Sequence, residues 1–219
     1  MSLLPVVETT PNPDVPSPGA SVALVPDKYL YRPATWFEPL VTASIFGRAA
    51  PLEVELGSGD GSFIVEWARR HSDRDFLAVE RLLGRIRKVD RKTQRAGLSN
   101  LRALRIEASY CLEYLLPAGT VAALHIYFPD PWPKRRHHKN RLVNERFPEL
   151  VWRCLAPGAP VYLRTDDANY FEQMTRVFGV DTRFEAVDTP EPLALVTTDF
   201  ERAFNAEGIP TRRAAFRRR

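Results

Sequence analysis

The chain has 219 residues, of which 44% are hydrophobic and 26% charged, a balance typical of a folded domain and unlike that of a disordered chain. It has no run of about 18 apolar residues, which excludes a membrane-spanning helix, and two cysteines are too few for a disulfide framework or a cysteine-rich metal cluster. The first 20 residues lack the features of a secretory signal, so we expect a reduced, cytoplasmic protein without a bound metal.

The basic residues are concentrated in two places, although the net charge is only +4. Five cations lie between residues 134 and 141, and five arginines lie between residues 212 and 219. Clusters of this kind suit a phosphate-rich partner, with a solvated basic loop as the alternative for each one.

The predicted elements alternate between strands and helices from residue 51 onward. Five prolines in residues 1–20 predict a disordered tail, and residues 21–219 are expected to form one domain. Strands are predicted at 52–56, 75–80, 101–106, 121–128 and 160–165, helices at 63–71, 81–96, 109–116, 142–154 and 168–178, and two last, antiparallel strands near 184–189 and 214–217. This alternation predicts a doubly wound α/β fold with a mostly parallel, seven-stranded sheet.

A glycine-rich loop joins the first predicted strand to the first predicted helix. Gly57, Gly59 and Gly61 lie in the segment ELGSGDG, where glycine permits tight turns and close approach of a ligand to the backbone. Ligands of open α/β sheets bind beyond the carboxyl ends of the strands. We interpret the loop as a candidate nucleotide-type site, with a purely structural turn as the alternative.

Acidic residues lie at or just after the ends of successive predicted strands, namely Glu55, Glu80, Glu107 and Asp130. Each alone could be a solvated strand end, but Glu80 follows Gly57 by 23 positions, close to the ~20 expected for a carboxylate that holds a ribose. Ser62 stands where the NAD fingerprint has its third glycine. Because carboxylates favour a cationic ligand, S-adenosylmethionine fits this pattern better than NAD.

The segment FPDPWPKRRHHK, residues 128–139, resembles the signature of the tRNA (guanine-N7-)-methyltransferase family, class I enzymes that use S-adenosylmethionine. The resemblance runs from about residue 36 to the C-terminus and includes the glycine loop, Glu80, Thr165-Asp166 and residues 198–201. It implies a Rossmann-like class I methyltransferase fold. The implied reaction is transfer of a methyl group to N7 of the variable-loop guanosine of tRNA.

The resemblance assigns candidate roles to individual residues. Asp130 matches the proposed active-site acid. The candidate cofactor-binding residues are Glu55, Gly57, Gly59, Gly61, Glu80, Glu107, Ala108 and Asp130. The candidate substrate-binding residues are Lys134, Asp166, Thr198, Asp199, Phe200 and Glu201. From charge alone we add candidate RNA contacts at Arg135, Arg136, His137, Lys139 and Arg141, with the arginines of 212–219 as a second contact point.

Three departures from the family pattern stand out. Glu107 occupies a position where Asp or Asn is more usual, Asn140 interrupts a run that is generally basic, and the proline-rich tail has no counterpart in the family core.

The chemistry at N7 does not require a general base, because N7 carries an in-plane lone pair and no proton. We therefore expect Asp130 to position the base and stabilise developing positive charge. Trp132 either stacks on the base or anchors its loop. For the basic helix at 81–96 we favour a charged outer face, and Thr198 with Glu201 could equally form a helix capping box.

Two other functions compete with the first. An adenine N6 methyltransferase motif has two prolines after its Asp or Asn, whereas Asp130 is followed by only one. A non-catalytic tRNA-binding subunit would not need the glycine loop and the four acids.

Overall fold

A mixed sheet of eight strands forms the centre of the molecule. The computed structural model describes residues 25–219, so the tail predicted over residues 1–20 lies outside the described residues. Within that range the strands are β1 (Leu30–Tyr31), β2 (Leu52–Leu56), β3 (Asp75–Val79), β4 (Leu101–Leu104), β5 (Val121–Tyr127), β6 (Pro160–Thr165), β7 (Phe184–Val187) and β8 (Arg212–Arg218). Their order is β1-β4-β3-β2-β5-β6-β8-β7, and β8 is antiparallel to both its neighbours. The doubly wound, mostly parallel fold is thus confirmed.

All seven predicted strands are present, and β1 is the additional one. It contributes two residues that pair with Ala103 and Leu104 at the sheet edge. A strand this short is below the length at which an alternating pattern can be recognised in a sequence.

Helices cover both faces of the sheet. In the described range they are α1 (Thr42–Phe46), α2 (Ser62–Arg70), α3 (Leu83–Arg95), α4 (Ala108–Tyr110), α5 (Phe147–Cys154), α6 (Ala168–Gly179), α7 (Glu191–Ala194) and α8 (Asp199–Ala206), with a π-helical turn at Cys111–Leu115 and a 3-10 helix at Arg135–Asn140. Alternate residues of β3 enter two separate hydrophobic cores, Leu77 and Val79 in one and Phe76 and Ala78 in the other. The sheet is therefore sandwiched between two apolar layers.

Two predicted helices differ from those observed. The helix predicted at 142–154 begins only at Phe147, with Pro148 in its first turn, where a missing N–H is tolerated. The residues before it are held instead by α6, since the Tyr170 hydroxyl accepts from the amide of Val143. The helix predicted at 109–116 is a three-residue α-helix that continues as the π-helical turn.

The second strand carries buried carboxylates on one side, because its sequence LEVEL alternates. Glu53 accepts hydrogen bonds from the indole of Trp67 at 2.8 Å and contacts Nε2 of His125 at 2.9 Å, and Arg74 neutralises its charge. Burial alone would raise the pKa of Glu53, but these partners lower it to about 2. Glu53 is thus accounted for structurally, which leaves Glu55 as the carboxylate of β2 available to a ligand.

Candidate active site

Two adjoining cavities open at the carboxyl edge of the parallel strands, as expected for an open α/β sheet. Their volumes are about 440 and 230 Å³. The larger lies among the residues that follow β3 and β4, and the smaller extends over the glycine loop toward α8. The residues that line both cavities are Gly57, Arg85, Phe128, Pro129 and Asp130.

The glycine loop is folded as its sequence requires. Gly57, Gly59 and Gly61 have φ angles of 79°, 55° and 80°, in the left-handed region that favours glycine. A Cβ at Gly61 would lie 3.0 Å from Cγ2 of Val89 and 3.3 Å from its Cα, so this position also lets α3 approach the loop closely. Gly57 and Gly59 line the smaller cavity, where they expose backbone to a ligand.

Glu55 lies on the floor of the smaller cavity with an unsatisfied carboxylate oxygen. Its side chain is buried, and neither its Oε2 nor the neighbouring Ser58 Oγ has a hydrogen-bond partner. Burial raises the pKa of Glu55 well above its usual value; Asp60 and Glu80 add to this effect, while the positive charge of Arg164 opposes it. A buried acceptor without a donor is costly, so the residues fit a ligand that brings a cationic donor, such as the ammonium group of S-adenosylmethionine.

Glu80 connects the glycine loop to the segment that follows β3. Its Oε2 accepts from the amide of Gly59 at 3.2 Å, and its Oε1 accepts from the amide of Leu82 at 2.8 Å. The carboxylate also lines the larger cavity, and each oxygen retains a lone pair for a ligand hydroxyl.

Glu107 and Ala108 line the larger cavity at the end of β4. Glu107 is exposed and caps α4, accepting from the amide of Tyr110 at 2.9 Å. Together with the buried Glu55 and Glu80, it places acids from three neighbouring strands around one continuous space.

Asp130 lies where the two cavities meet, on the loop after β5. Its side chain is exposed and therefore accessible to a ligand. Phe128 and Trp132 on either side of it have φ angles of 50° and 47°, which are uncommon for residues with a side chain. Backbone of this kind persists only when the surroundings enforce it, and it is concentrated at functional sites.

Arg141 enforces this loop conformation and is not exposed to solvent. It is 2% exposed and donates from Nε to the carbonyl of Pro131 at 2.7 Å and from its other nitrogens to Gln173 and Asn169. Its guanidinium carbon also lies 4.7 Å from the ring centre of Tyr170. With every side of the group in protein contacts, Arg141 anchors the loop, and the RNA contact expected for it stays a prediction.

The other residues of the basic segment remain accessible. Trp132 is half-buried, lines the larger cavity and packs edge-on against the ring of His137, so its position is compatible with both roles considered from the sequence. The exposed cations form no ion pair with a described acidic residue; they are Lys134, Arg135, Arg136 and Lys139.

The segment of residues 198–201 divides into a cavity wall and a structural anchor. Thr198 and Phe200 line the smaller cavity with Asp166, and Thr198 also caps α8. Asp199 donates its amide to Ser62 Oγ at 2.9 Å, which joins α8 to the start of α2. Glu201 is fully buried and bound to Arg164 and Arg213, and the substrate contact expected for it stays a prediction.

One cation of α3, Arg85, lies at the cavities, although the sequence predicts a charged outer face for this helix. Arg85 lines both cavities, and its guanidinium carbon lies 5.8 Å from the ring centre of Phe200. Its spacing of five residues after Glu80 places it in the first turn of a helix that starts at the ligand-binding edge. This spacing is the sequence signal that could have identified Arg85 as a cavity residue. It does not stand out because the helix contains many other cations.

The C-terminal arginines lie at opposite ends of β8. Because β8 is antiparallel, Arg212 pairs with Thr165 at the ligand-binding edge, whereas Arg217 pairs with Pro160 at the far edge. Arg217 forms an ion pair with Glu185, and the guanidinium carbon of Arg218 lies 4.4 Å from the ring centre of Trp152. Arg217 and Arg218 thus have protein partners away from the cavities, and the second RNA contact point expected at the C-terminus stays a prediction.

In residues 25–219 no group of three or more His, Cys, Asp or Glu side chains is arranged so that it could hold a metal ion. The helices in the same range are too short or too polar to cross a membrane.

The chain is similar to methyltransferases over the region that forms these cavities. A family model described as putative methyltransferase matches residues 49–214. A tRNA (guanine-N(7)-)-methyltransferase of Halorhodospira halophila is 38% identical over 163 residues, covering 72% of this chain and 71% of that protein. One of the same name from Nocardioides sp. is 39% identical over 177 residues, covering 81% and 71%.

Solved structures with the same fold include two ribosomal RNA methyltransferases. The 16S rRNA methyltransferase KamB superimposes with a TM-score of 0.57 at 18% identity, covering 81% of this chain and 91% of that one. The 30S ribosomal A1408 methyltransferase from an uncultured bacterium has a TM-score of 0.54 at 19% identity, covering 81% and 92%. The fold is thus that of class I methyltransferases, and sequence identity over most of both chains places this chain in the tRNA (guanine-N7-)-methyltransferase family.

Proposed function

We propose that this protein transfers a methyl group from S-adenosylmethionine to N7 of guanine in tRNA, and that the target is the variable-loop guanosine. The observation that supports this most directly is the position of Asp130. An exposed carboxylate at the junction of two cavities can contact a base while a cofactor extends from the larger cavity along the glycine loop. The relatives named above bear the same activity in their names.

The larger cavity and the glycine loop suit the cofactor. Glu80 and Glu107 offer carboxylate oxygens to the hydroxyls and amines of an adenosine, and the unpaired oxygen of Glu55 offers a partner to an ammonium. When bound, S-adenosylmethionine supplies an electrophilic methyl group on a positively charged sulfur. The acids on these strand ends favour that charge electrostatically.

The part of the smaller cavity next to α8 suits the base. Phe200 and Phe204 provide aromatic surface on one wall, and Asp166 and Asp130 provide acceptors for the N–H groups of guanine. Asp130 does not remove a proton, since N7 has none. It orients the base and stabilises the positive charge that the ring acquires as the methyl group arrives.

Exposed cations on both sides of the cavities suit the phosphates of an RNA chain. Lys134 and its basic neighbours lie on the loop that carries Asp130, and Arg85 lies across the opening on α3. A purine entering between them would have its flanking phosphates near positive charge from either side.

A methylation assay with a chemically defined target tests this function. We expect tritium from labelled S-adenosylmethionine to appear in an unmodified tRNA transcript, with aniline cleavage after mild reduction at the variable-loop guanosine. A tRNA with 7-deazaguanosine at that position lacks the reacting nitrogen and should remain unlabelled. Label in adenine would favour an N6 enzyme, and tight tRNA binding without label would favour a non-catalytic subunit.

A substitution at Asp130 tests the residue. Asp130→Asn keeps the shape of the side chain and removes its charge, so we expect turnover at saturating cofactor to fall by about 100-fold or more. Full activity of this variant would contradict the electrostatic role.

A further inference from the structure

Arg164 is a buried cation that contacts several segments around the smaller cavity. It lies on β6, next to Thr165 and Asp166, and is 1% exposed. It has no part in the cofactor and base contacts described above, and an ionised side chain of this size is costly to bury unless it is paired and hydrogen-bonded.

One end of its guanidinium group holds the segment that leads into α8. Nη1 donates to the carbonyl of Val196 at 2.7 Å and to Oε2 of Glu201 at 3.0 Å, and Nη2 donates to the carbonyl of Leu193 at 2.6 Å. These three acceptors span residues 193–201. Thr198 and Phe200, the cavity wall, lie between them.

The other contacts of Arg164 reach the opposite wall. Its guanidinium carbon lies 4.2 Å from the ring centre of Tyr127, a lining residue of the same cavity. Its backbone carbonyl accepts from the amide of Phe128 at 2.8 Å. Phe128 is the left-handed residue two positions before Asp130, so a single residue is bonded to both sides of the space assigned to guanine.

We propose that Arg164 is a positioning residue that fixes the Thr198–Phe200 wall relative to the Asp130 loop. This inference rests on the proposed function for its catalytic consequence, but the contacts can be tested without it. The planar guanidinium donates hydrogen bonds to two carbonyls and a carboxylate at the same time, a geometry that a lysine ammonium cannot reproduce.

Removal of the side chain takes donors away from buried acceptors. In Arg164→Met the carbonyl of Val196 loses its donor, the carbonyl of Leu193 keeps only backbone amide donors, and Glu201 keeps only the contact with the partly exposed Arg213. We expect residues 193–206 to loosen while the glycine loop, which is held by Val79 and Glu80, stays in place.

The test uses Arg164→Met and Arg164→Lys, with Arg217→Met as the matched control because its ion pair lies at the far edge of the same sheet. Hydrogen–deuterium exchange of residues 193–206 should become about tenfold faster or more in the Met variant, less so in the Lys variant, and unchanged in the control. The KM for tRNA should rise about tenfold in the Met variant, a larger change than the loss of affinity for S-adenosylmethionine. A role confined to stability would lower the unfolding temperature without this split.

Two results would overturn the inference: unchanged exchange of residues 193–206 in the Met variant, or a loss of cofactor affinity as large as the loss of tRNA affinity. If Arg164→Met does not fold, Glu201→Gln weakens the same contact from its other partner and should give the same exchange pattern. Failure of wild-type protein to methylate tRNA would refute the proposed function alone, since the exchange experiment does not depend on it.

Discussion

The Nε of Arg141 donates a hydrogen bond of 2.7 Å to the carbonyl oxygen of Pro131, the residue that immediately follows Asp130. A buried side chain thus fixes the backbone of the loop that carries the proposed active-site carboxylate. Its sequence neighbours Lys139 and Asn140 are exposed, so adjacent positions of one basic segment have different tasks.

We expect Arg141→Leu to reduce kcat at least tenfold because the loop is no longer held at Pro131. The loss of three hydrogen bonds from a buried group should also destabilise the protein by about 1–3 kcal/mol. The salt dependence of tRNA binding should stay at the wild-type slope, which a filter-binding titration would measure. A flatter slope would instead restore Arg141 as a phosphate contact.

Lys134→Ala and Lys139→Ala should have the opposite signature. Each removes an exposed cation, so the negative slope of log affinity against log salt should become shallower by roughly one for every phosphate that is no longer neutralised. We expect little change in kcat. Arg217→Ala is the control, since Arg217 is paired with Glu185 away from the cavities. Equal effects in all three variants would show that net charge, and not position, governs binding.

Arg85→Gln should raise the KM for tRNA about tenfold, because Arg85 lines both cavities and lies over the ring of Phe200. Arg87→Gln provides a control on the same helix, as Arg87 is directed toward Asp27 with an Nε–Oδ1 distance of 3.1 Å. Steady-state kinetics with saturating S-adenosylmethionine would separate the two. Equal KM values would return α3 to the charged outer face favoured from the sequence.

Cofactor affinity should increase with pH through Glu55. Burial raises the pKa of this carboxyl in the free protein, whereas a cationic ligand favours the ionised form, so binding should release a proton. The affinity should therefore rise with pH and level off once pH exceeds the raised pKa. Calorimetry in two buffers of different ionisation enthalpy would detect the released proton, and Glu55→Gln should bind more weakly without releasing it.

The fold was largely predictable because its strands carry strong apolar patterns. β2, β3, β5 and β6 are buried and bounded by turn residues, and Gly97 marks the end of α3 with a φ angle of 62°. The two-residue β1 and the four-residue α7 are too short to show a hydrophobic periodicity in the sequence. Pro148 marks the start of α5 locally, whereas the contacts of α6 that hold residues 142–146 out of a helix are not local.

The site was predictable where topology alone determines position. Glu55, Glu80 and Glu107 end neighbouring parallel strands, so they meet at one edge. Glu201 and Arg141 were assigned to ligand contact although both are buried, because burial depends on which elements pack over a residue. The sequence alone does not distinguish the exposed Lys139 from the buried Arg141, because that difference depends on α6, which packs over Arg141 only.

The left-handed backbone at Phe128 and Trp132, flanked by prolines and held by Arg141, has a consequence for the kinetics of tRNA capture. A loop that is already in its final shape does not lose conformational entropy when RNA arrives, since that loss occurred during folding. Encounter with the nucleic acid should then be limited by diffusion and by extrusion of the target purine from its stack, with no slow loop rearrangement between them.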